Sequence, residues 1–187
     1  EESGAIVPLG YWVIKTVCQE AMVNQLNKKV SINISPVQLR HPNFIDRVRT
    51  ILMRSDYPLS LLEFEVTETA FIINKNLTFN VLHQFQKMGI SIALDDFGTG
   101  YSSLSTLREF QFDVIKLDKS FLTNVENNFQ ARSFVRAIIS LGNSINTPLV
   151  AEGVETREQL KILEEEGCSE IQGFLFGKPT DIEHVNR

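Results

Sequence analysis

The chain has 187 residues, of which 43% are hydrophobic and 22% charged, and these values are typical of one globular domain with a sizeable core. Its net charge of −5 argues against sequence-independent binding to nucleic acid or to an anionic membrane, because both need clustered lysine and arginine. Cys18 and Cys168 lack metal-ligand spacing and are expected to be reduced thiols. No apolar run approaches the roughly 20 residues of a membrane span, so a cytoplasmic domain is expected.

Six short runs rich in β-branched residues alternate with longer helical patterns. The predicted strands are 30–35, 61–67, 90–95, 113–118, 148–153 and 169–173. The predicted helices are 11–27, 43–55, 75–88, 102–108, 128–146 and 156–166, the last of them beginning with a capping box formed by Thr156 and Gln159. This alternation predicts an α/β fold with a parallel sheet and right-handed crossovers.

The two faces of each predicted strand differ in a way that favours a barrel over an open sheet. One face is apolar throughout, whereas the other ends in a polar residue in every strand, namely Asn33, Glu65, Asp95, Lys116, Glu152 and Gln172. An open sheet covered by helices would be apolar on both faces. In a barrel the second face points to the axis, and its last residues surround one mouth, where the active sites of such barrels lie.

A complete (β/α)8 barrel has about 250 residues, so six strands in this chain predict an incomplete barrel. We expect a single domain over residues 1–187 that lacks its N-terminal strand and helix. Such a barrel would leave exposed strand edges that invite pairing with another chain.

The segment ALDDFGTGYSSL at 93–104 places two aspartates side by side at the end of a predicted strand. Neighbours in a strand point to opposite faces, so Asp95 and Asp96 can converge only where the backbone bends. Gly98 and Gly100 are suited to such a bend, because glycine takes positive φ without steric cost. The alternative is that the two aspartates only cap a helix that begins near residue 102.

The polar residues at the predicted mouth suggest a site for divalent cations. Glu65, Asp95 and Asp96 would repel one another unless cations hold them, and ligation by oxygen alone points to Mg²⁺ or Mn²⁺ rather than Zn²⁺. Asn33 would add a neutral oxygen. Two ions roughly 3.5–4 Å apart suit in-line displacement at phosphorus, and Lys116 could orient or deprotonate the attacking water.

Each of these residues also has a structural interpretation. Asn33 could simply end a strand, Lys116 could be an ion-pair partner, and Glu65 could be a solvated strand residue. Glu152 and Gln172 could cap the helices that follow them. His41, His83 and His184 have no partner spacing and are assigned no chemistry.

Seven motifs, in order, resemble those of the EAL domain, a bacterial family of phosphodiesterases that act on cyclic dimeric GMP (c-di-GMP). They are EESG-IVPLG-W, SINIS-x-x-Q, E-V-T-E, DDFGTGYSSL, V-I-K-L-D-x-S-F, AEGVET and QGFLFGKP, and they run from residue 1 to about 180. The resemblance implies a modified TIM (β/α)8 barrel that hydrolyses c-di-GMP to linear pGpG with two Mg²⁺ or Mn²⁺ ions and is inhibited by Ca²⁺. The resemblance also implies a part in bacterial signalling linked to biofilm formation and motility.

The resemblance also implies roles for individual residues. Asn33, Glu65, Asp95 and Asp96 match metal ligands, Lys116 matches a lysine that positions or activates water, and Glu152 matches a glutamate that acts on metal-bound water. Gln172 matches a substrate-site glutamine, with Ser35 and Gln38 expected near the ligand. Glu68 matches a glutamate that steadies the loop containing Gly98, Thr99 and Gly100, which the family links to dimer contacts and activation.

One departure from the family pattern affects the expected activity. The Glu-Ala-Leu tripeptide and a nearby phosphate-binding arginine should lie upstream of residue 1, so this fragment alone is expected to bind metal weakly and turn over little substrate. The parent protein is expected to be a catalytically competent homodimer, fused to sensory or GGDEF domains, with no nucleic-acid partner and with anchoring in the inner membrane left open. The alternatives are a non-catalytic c-di-GMP receptor module and a protein-interaction scaffold.

Overall fold

The computed structural model describes residues 4–99 and 104–182. The described residues fall into two compact units, the first with residues 4–92 and 180–182 and the second with residues 93–99 and 104–179. No helix in these ranges has both the length and the hydrophobicity of a membrane span.

The first unit contains two parallel strands and four helices. Its elements are α1 (Ile6–Val23), β1 (Val30–Asn33), α2 (Pro36–Leu39), α3 (Phe44–Leu52), β2 (Leu62–Thr67) and α4 (Lys75–Lys87), with 3₁₀ turns at Leu59–Leu61 and Glu68–Phe71. Three buried phenylalanine rings form its centre, with Phe85 packing edge-on against Phe44 at 5.9 Å and against Phe64 at 5.0 Å between ring centroids.

Two features of the first unit differ from the sequence prediction. Helix α1 begins at Ile6 rather than at residue 11, because Pro8 lies in its first turn, where the missing N–H has no intrahelical partner to lose. The short helix α2 was not predicted. It is specified by a capping box in which Ser35 and Gln38 each bond the other's backbone N–H.

The second unit contains the remaining strands, which are neighbours in chain order and parallel. Its elements are β3 (Ser91–Phe97, which begins at the end of the first unit), α5 (Leu104–Glu109), β4 (Val114–Leu117), α6 (Phe129–Ser144), β5 (Leu149–Ala151), α7 (Arg157–Glu165) and β6 (Glu170–Ile171), with a 3₁₀ turn at Lys119–Leu122. The predicted capping box of Thr156 and Gln159 is present at the start of α7. The expected alternation of parallel strands and helices is therefore confirmed.

The two faces of these strands differ as the sequence predicted. The apolar face is fully buried, with Ile92, Leu94, Ile115, Leu117, Leu149 and Ala151 on it. On the opposite face, Ala93, Val114 and Val150 form a buried apolar cluster. Two residues further along the three chain segments come Asp95, Lys116 and Glu152, so charged groups follow directly after an apolar layer.

Helices α6 and α7 are joined by an ion-pair cluster around Glu166. Arg132 Nε and Arg136 Nε each donate to one carboxylate oxygen of Glu166 at 2.6 Å, and Arg136 Nη2 adds a third bond at 2.9 Å. The Glu166 side chain is only 5% exposed. The hydrogen bonds from Arg136, and then those from Arg132, outweigh the effect of burial and lower the pKa of Glu166 to about 2.

Glu166→Gln is expected to lower the unfolding free energy at pH 7 by about 1 kcal/mol, or about 2–4 °C in Tm for a chain of this length. A carboxyl whose pKa is lowered by folding stabilises the protein above its ordinary pKa of 4.5 and loses that effect as pH falls toward 2. Calorimetry should therefore show the difference between wild type and variant shrinking from pH 7 to pH 2.5. The matched control is the exposed Glu164→Gln, and an equal difference at both pH values would contradict the prediction.

Candidate metal centre

Asn33 and Glu65 lie side by side at the ends of β1 and β2 in the first unit. They are direct partners in the strand register, and the Ile34 N–H donates to the Glu65 carbonyl oxygen at 2.8 Å just beyond them. Asn33 is exposed, whereas Glu65 is buried although it carries a carboxylate. A buried carboxylate beside an exposed amide is a suitable pair of oxygen ligands for a hard cation.

Ser35 and Gln38 hold the start of α2. The Ser35 hydroxyl accepts from the Val37 N–H at 3.1 Å, and Gln38 Oε1 accepts from the Ser35 N–H at 2.8 Å. Gln38 is 1% exposed, and its Nε2 packs so closely on Gly10 of α1 that a Cβ there would overlap it. The structure therefore gives Gln38 a capping and packing role, and the substrate-binding roles of both residues stay predictions.

Glu68 is buried at the first position of the Glu68–Phe71 turn in the first unit. The loop that it is predicted to steady includes Gly98 and Thr99 of the second unit, and Gly100 lies outside the described residues. The steadying role of Glu68 stays a prediction. The expectation that all six strand ends surround one mouth also stays a prediction, because the six strands are divided between the two units.

A bulge at the end of β3 brings the two adjacent aspartates together. In the register with β4, Leu94 pairs with Ile115 and Phe97 with Leu117, so Asp95 and Asp96 lie opposite a single residue. Asp96 has a φ of +51°, and its N–H donates to Asp95 Oδ1 at 2.9 Å. The backbone bend that the sequence required is therefore present, and it begins at Asp96 itself, before Gly98.

Lys116 lies between the carboxylates of Asp95 and Glu152. Its Nζ is 2.6 Å from Glu152 Oε1 and 3.8 Å from Asp95 Oδ1, and its side chain is 8% exposed. In the strand register, Lys116 of β4 pairs with Val150 of β5, and Glu152 follows Val150 by two residues. On the other side, β3 places Asp95 just after Leu94, which pairs with Ile115. The structural interpretation of Lys116 as an ion-pair partner is correct, and it is compatible with a chemical role because both partners are candidate site residues.

The remaining predicted site residues of the second unit lie just after strands. Glu152 follows β5, and its N–H donates to the Leu117 carbonyl oxygen at 3.0 Å, which holds it beside the end of β4. It does not cap α7, because Thr156 is the N-cap. Gln172 follows β6, where its N–H donates to the Ala151 carbonyl at 2.8 Å and its side chain is exposed.

The three carboxylates of the second unit fit a divalent cation. One oxygen from each of Asp95, Asp96 and Glu152 lies within 4.8 Å of the other two. Together with the Lys116 ammonium group that contacts Asp95 and Glu152, these three carboxylates give a group with a net charge of −2. Carboxylate oxygens are the ligands that Mg²⁺, Mn²⁺ and Ca²⁺ prefer, and the apolar layer of Ala93, Val114 and Val150 strengthens their attraction to a cation.

Comparison with known proteins identifies the family of this chain. The family model described as the EAL domain matches residues 1–179. The cyclic di-GMP phosphodiesterase PdeR of Escherichia coli is 40% identical over 96% of this chain and 28% of its own length. The chain therefore spans about a quarter of the length of the curated relatives it matches.

Solved structures show the same fold. The PaMucR phosphodiesterase in complex with c-di-GMP superimposes with a TM-score of 0.90 at 35% identity, over 97% of this chain and 75% of that one. The manganese and c-di-GMP complex of BlrP1 from Klebsiella pneumoniae gives a TM-score of 0.85 at 30% identity, over 92% and 45% of the two chains. The expected class, a modified (β/α)8 barrel with about six strands present, is confirmed. With its motifs, its fold and the family match in agreement, the chain belongs to the EAL domain family.

Proposed function

We propose that this chain is the phosphodiesterase domain of a protein that hydrolyses c-di-GMP to linear pGpG. The observation that carries the proposal is the cluster in which Lys116 lies between Asp95 and Glu152, with Asp96 turned toward them by a bulge. A merely structural ion pair would not need a third carboxylate, that of Asp96, beside the two that contact Lys116. The names of PdeR and PaMucR support the same activity.

The reaction requires water to attack one phosphorus atom and the P–O3′ bond to break, which opens the ring and leaves a 3′-hydroxyl. Divalent cations held by Asp95 and Asp96, with Glu152 beside them, would supply charge neutralisation and Lewis acidity at the phosphodiester. The motif match extends the ligand set to Asn33 and Glu65 of the first unit. Two ions, Mg²⁺ or Mn²⁺, are proposed, with Ca²⁺ inhibitory because its larger and more flexible coordination shell fixes the reacting groups less well.

Lys116 and Glu152 are proposed to handle the attacking water and the developing charge. At 2.6 Å from Lys116 Nζ, the Glu152 carboxylate is held in one orientation and can accept a proton from water. The ammonium group of Lys116 can donate to the attacking water or to a phosphoryl oxygen, where negative charge increases in the transition state. Ser35, Gln38 and Gln172 are proposed to lie near the guanine or phosphate groups.

The parent protein is proposed to be longer than this chain and to form a homodimer. Relatives that contain the same segment are about four times as long, which supports further domains of a sensory or GGDEF kind. Within that protein, residues 1–187 are proposed to belong to a single EAL domain on the cytoplasmic side.

The decisive experiment is to incubate the full-length protein with c-di-GMP and Mn²⁺ or Mg²⁺ and to follow pGpG by ion-pair chromatography. We expect pGpG release that is abolished by EDTA and suppressed by added Ca²⁺. Saturable c-di-GMP binding with no pGpG release would overturn the enzyme assignment and favour the receptor module. Neither binding nor release, in a protein shown to be folded, would overturn both.

A further inference from the structure

The 3₁₀ turn Lys119–Leu122 directly follows β4, the strand that carries Lys116. Its conformation is fixed locally, because Asp118 Oδ1 accepts from the Ser120 N–H at 2.9 Å and the Phe121 N–H donates to the Asp118 carbonyl at 3.1 Å. Gln159 of the α7 capping box adds a bond from its Nε2 to the Leu122 carbonyl at 3.4 Å. These hydrogen bonds therefore hold the backbone of the turn, and with it the positions of its side chains.

Phe121 of this turn packs against the backbone that follows the two aspartates. A Cβ on Gly98 would lie 2.5 Å from Phe121 Cζ and 2.7 Å from Cε2, so the half-buried ring occupies the space where a side chain would be. Gly98 has a φ of +92°, and both the N–H and the hydroxyl of Thr99 donate to the Asp96 carbonyl, at 3.2 and 2.9 Å. The ring therefore rests on a tight turn that begins at Asp96.

Lys119 of the same turn makes a similar contact with the backbone next to Glu152. A Cβ on Gly153 would lie 2.5 Å from Lys119 Cβ, and Gly153 has a φ of +68°. Gly98 follows Asp96 by two residues, and Gly153 follows Glu152 directly. One turn thus contacts both backbone segments that carry the carboxylates of the cluster.

The carboxylate cluster needs such support for two physical reasons. Asp96 adopts positive φ, which is less favourable for aspartate than for glycine, so contacts with its surroundings help to hold it. In addition, Asp95, Asp96 and Glu152 repel one another, and this repulsion favours any relaxation that separates them.

We propose that Phe121 is a positioning residue, which holds the turn after Asp96 so that the Asp95 and Asp96 carboxylates stay at the spacing that binds divalent metal. This inference rests on the proposed function and names a residue outside the expected ligand set. Phe121 touches neither the substrate nor the metal in this role, because it acts through the Gly98 backbone.

The test is Mn²⁺ binding by the full-length protein, measured by calorimetry and by Mn²⁺ electron paramagnetic resonance. Phe121→Ala is expected to raise the Kd for Mn²⁺ by about tenfold, the lower end of what loss of a supporting residue costs a metal site. Turnover should recover toward the wild-type value when Mn²⁺ is raised to saturation. A residue needed only for folding would lower Tm and the active fraction without changing the Kd of the folded fraction. Phe129→Ala is the control, because that side chain is 81% exposed.

Two further variants keep the inference falsifiable if Phe121→Ala folds poorly. Phe121→Leu, which retains apolar bulk, is expected to shift the Kd in the same direction by a smaller factor. Gly98→Ala should weaken Mn²⁺ binding in the wild-type background and weaken it less in the Phe121→Ala background, because part of its effect is the clash with the ring.

The outcomes separate this inference from the proposed function. If wild type binds Mn²⁺ and Asp95→Asn does not, an unchanged Kd in Phe121→Ala and Phe121→Leu overturns the inference alone. Strictly additive effects of Gly98→Ala and Phe121→Ala would also overturn it. If wild type fails to bind Mn²⁺, or if Asp95→Asn binds it equally well, the proposed function fails and the inference fails with it.

Discussion

Asp95→Asn is expected to lower both the Mn²⁺ affinity and the rate of c-di-GMP hydrolysis, the rate by about 10²- to 10³-fold. The substitution preserves the size of the side chain and an oxygen that can accept the Asp96 N–H, so the bulge should persist. It removes one of three negative charges and changes the net charge of the cluster from −2 to −1. The measurements are pGpG release at saturating c-di-GMP and Mn²⁺ titration of the full-length protein.

Asp113→Asn provides the matched control for this prediction. Asp113 is exposed and immediately precedes β4, at the opposite end of that strand from Lys116, so it is remote from the cluster although the chemical change is the same. We expect Asp113→Asn to leave turnover and Mn²⁺ affinity within about twofold of wild type, as for other surface substitutions. If Asp95→Asn hydrolysed c-di-GMP at a rate near that of Asp113→Asn, the assignment of the metal centre would be wrong.

The strand faces of the second unit could be predicted because successive side chains of a strand point to opposite faces, and this alternation can be read from a few residues of sequence. Leu94, Ile115 and Leu117 alternate with Asp95 and Lys116 in the sequence, and in the structure apolar and charged side chains alternate at these positions although both kinds are buried. The polar residue at the end of each run also predicted that Asp95, Lys116 and Glu152 belong to one end of the sheet. Local pattern was therefore sufficient to find these candidate residues.

The contacts among them were not available from the pattern. Two aspartates in succession would point to opposite faces in a regular strand, and only the bulge opposite Lys116 brings their oxygens together. The 2.6 Å contact of Lys116 with Glu152 depends on the register between β4 and β5. Register depends on packing across many residues, and no short stretch of sequence encodes it.

Residues in short turns were the hardest to predict. The Lys119–Leu122 turn has four residues, too few for any helical period, and a half-buried phenylalanine in it resembles ordinary core. Gln38 shows a second difficulty, because its motif match predicts a position near the ligand but says nothing of its close packing on Gly10, which only the structure shows. Motif identity locates a residue in a family, but only the structure shows which atoms it touches.

Lys116→Met is expected to separate metal binding from turnover, and this distinguishes Lys116 from the carboxylates around it. Methionine keeps most of the apolar stem but removes the ammonium group from between Asp95 and Glu152. Without that positive charge the cluster attracts cations more strongly, so Mn²⁺ should bind as tightly as in wild type or more tightly. The rate of pGpG release should nevertheless fall by about 10²- to 10⁴-fold, because the donor to the water or phosphoryl oxygen is lost.

The same variant makes a linked prediction for stability. In the absence of metal, Lys116→Met leaves the carboxylates of Asp95 and Glu152 without their shared ammonium partner, so its Tm should be lower than that of wild type. Adding Mn²⁺ should raise the Tm of the variant by at least as much as it raises the Tm of wild type, because the stabilisation by a ligand depends on its concentration relative to its Kd. Lys161→Met, at a side chain that is 76% exposed, is the control. If Lys116→Met lost Mn²⁺ binding and turnover together, the lysine would be holding the carboxylates in place rather than acting on the water or the phosphodiester.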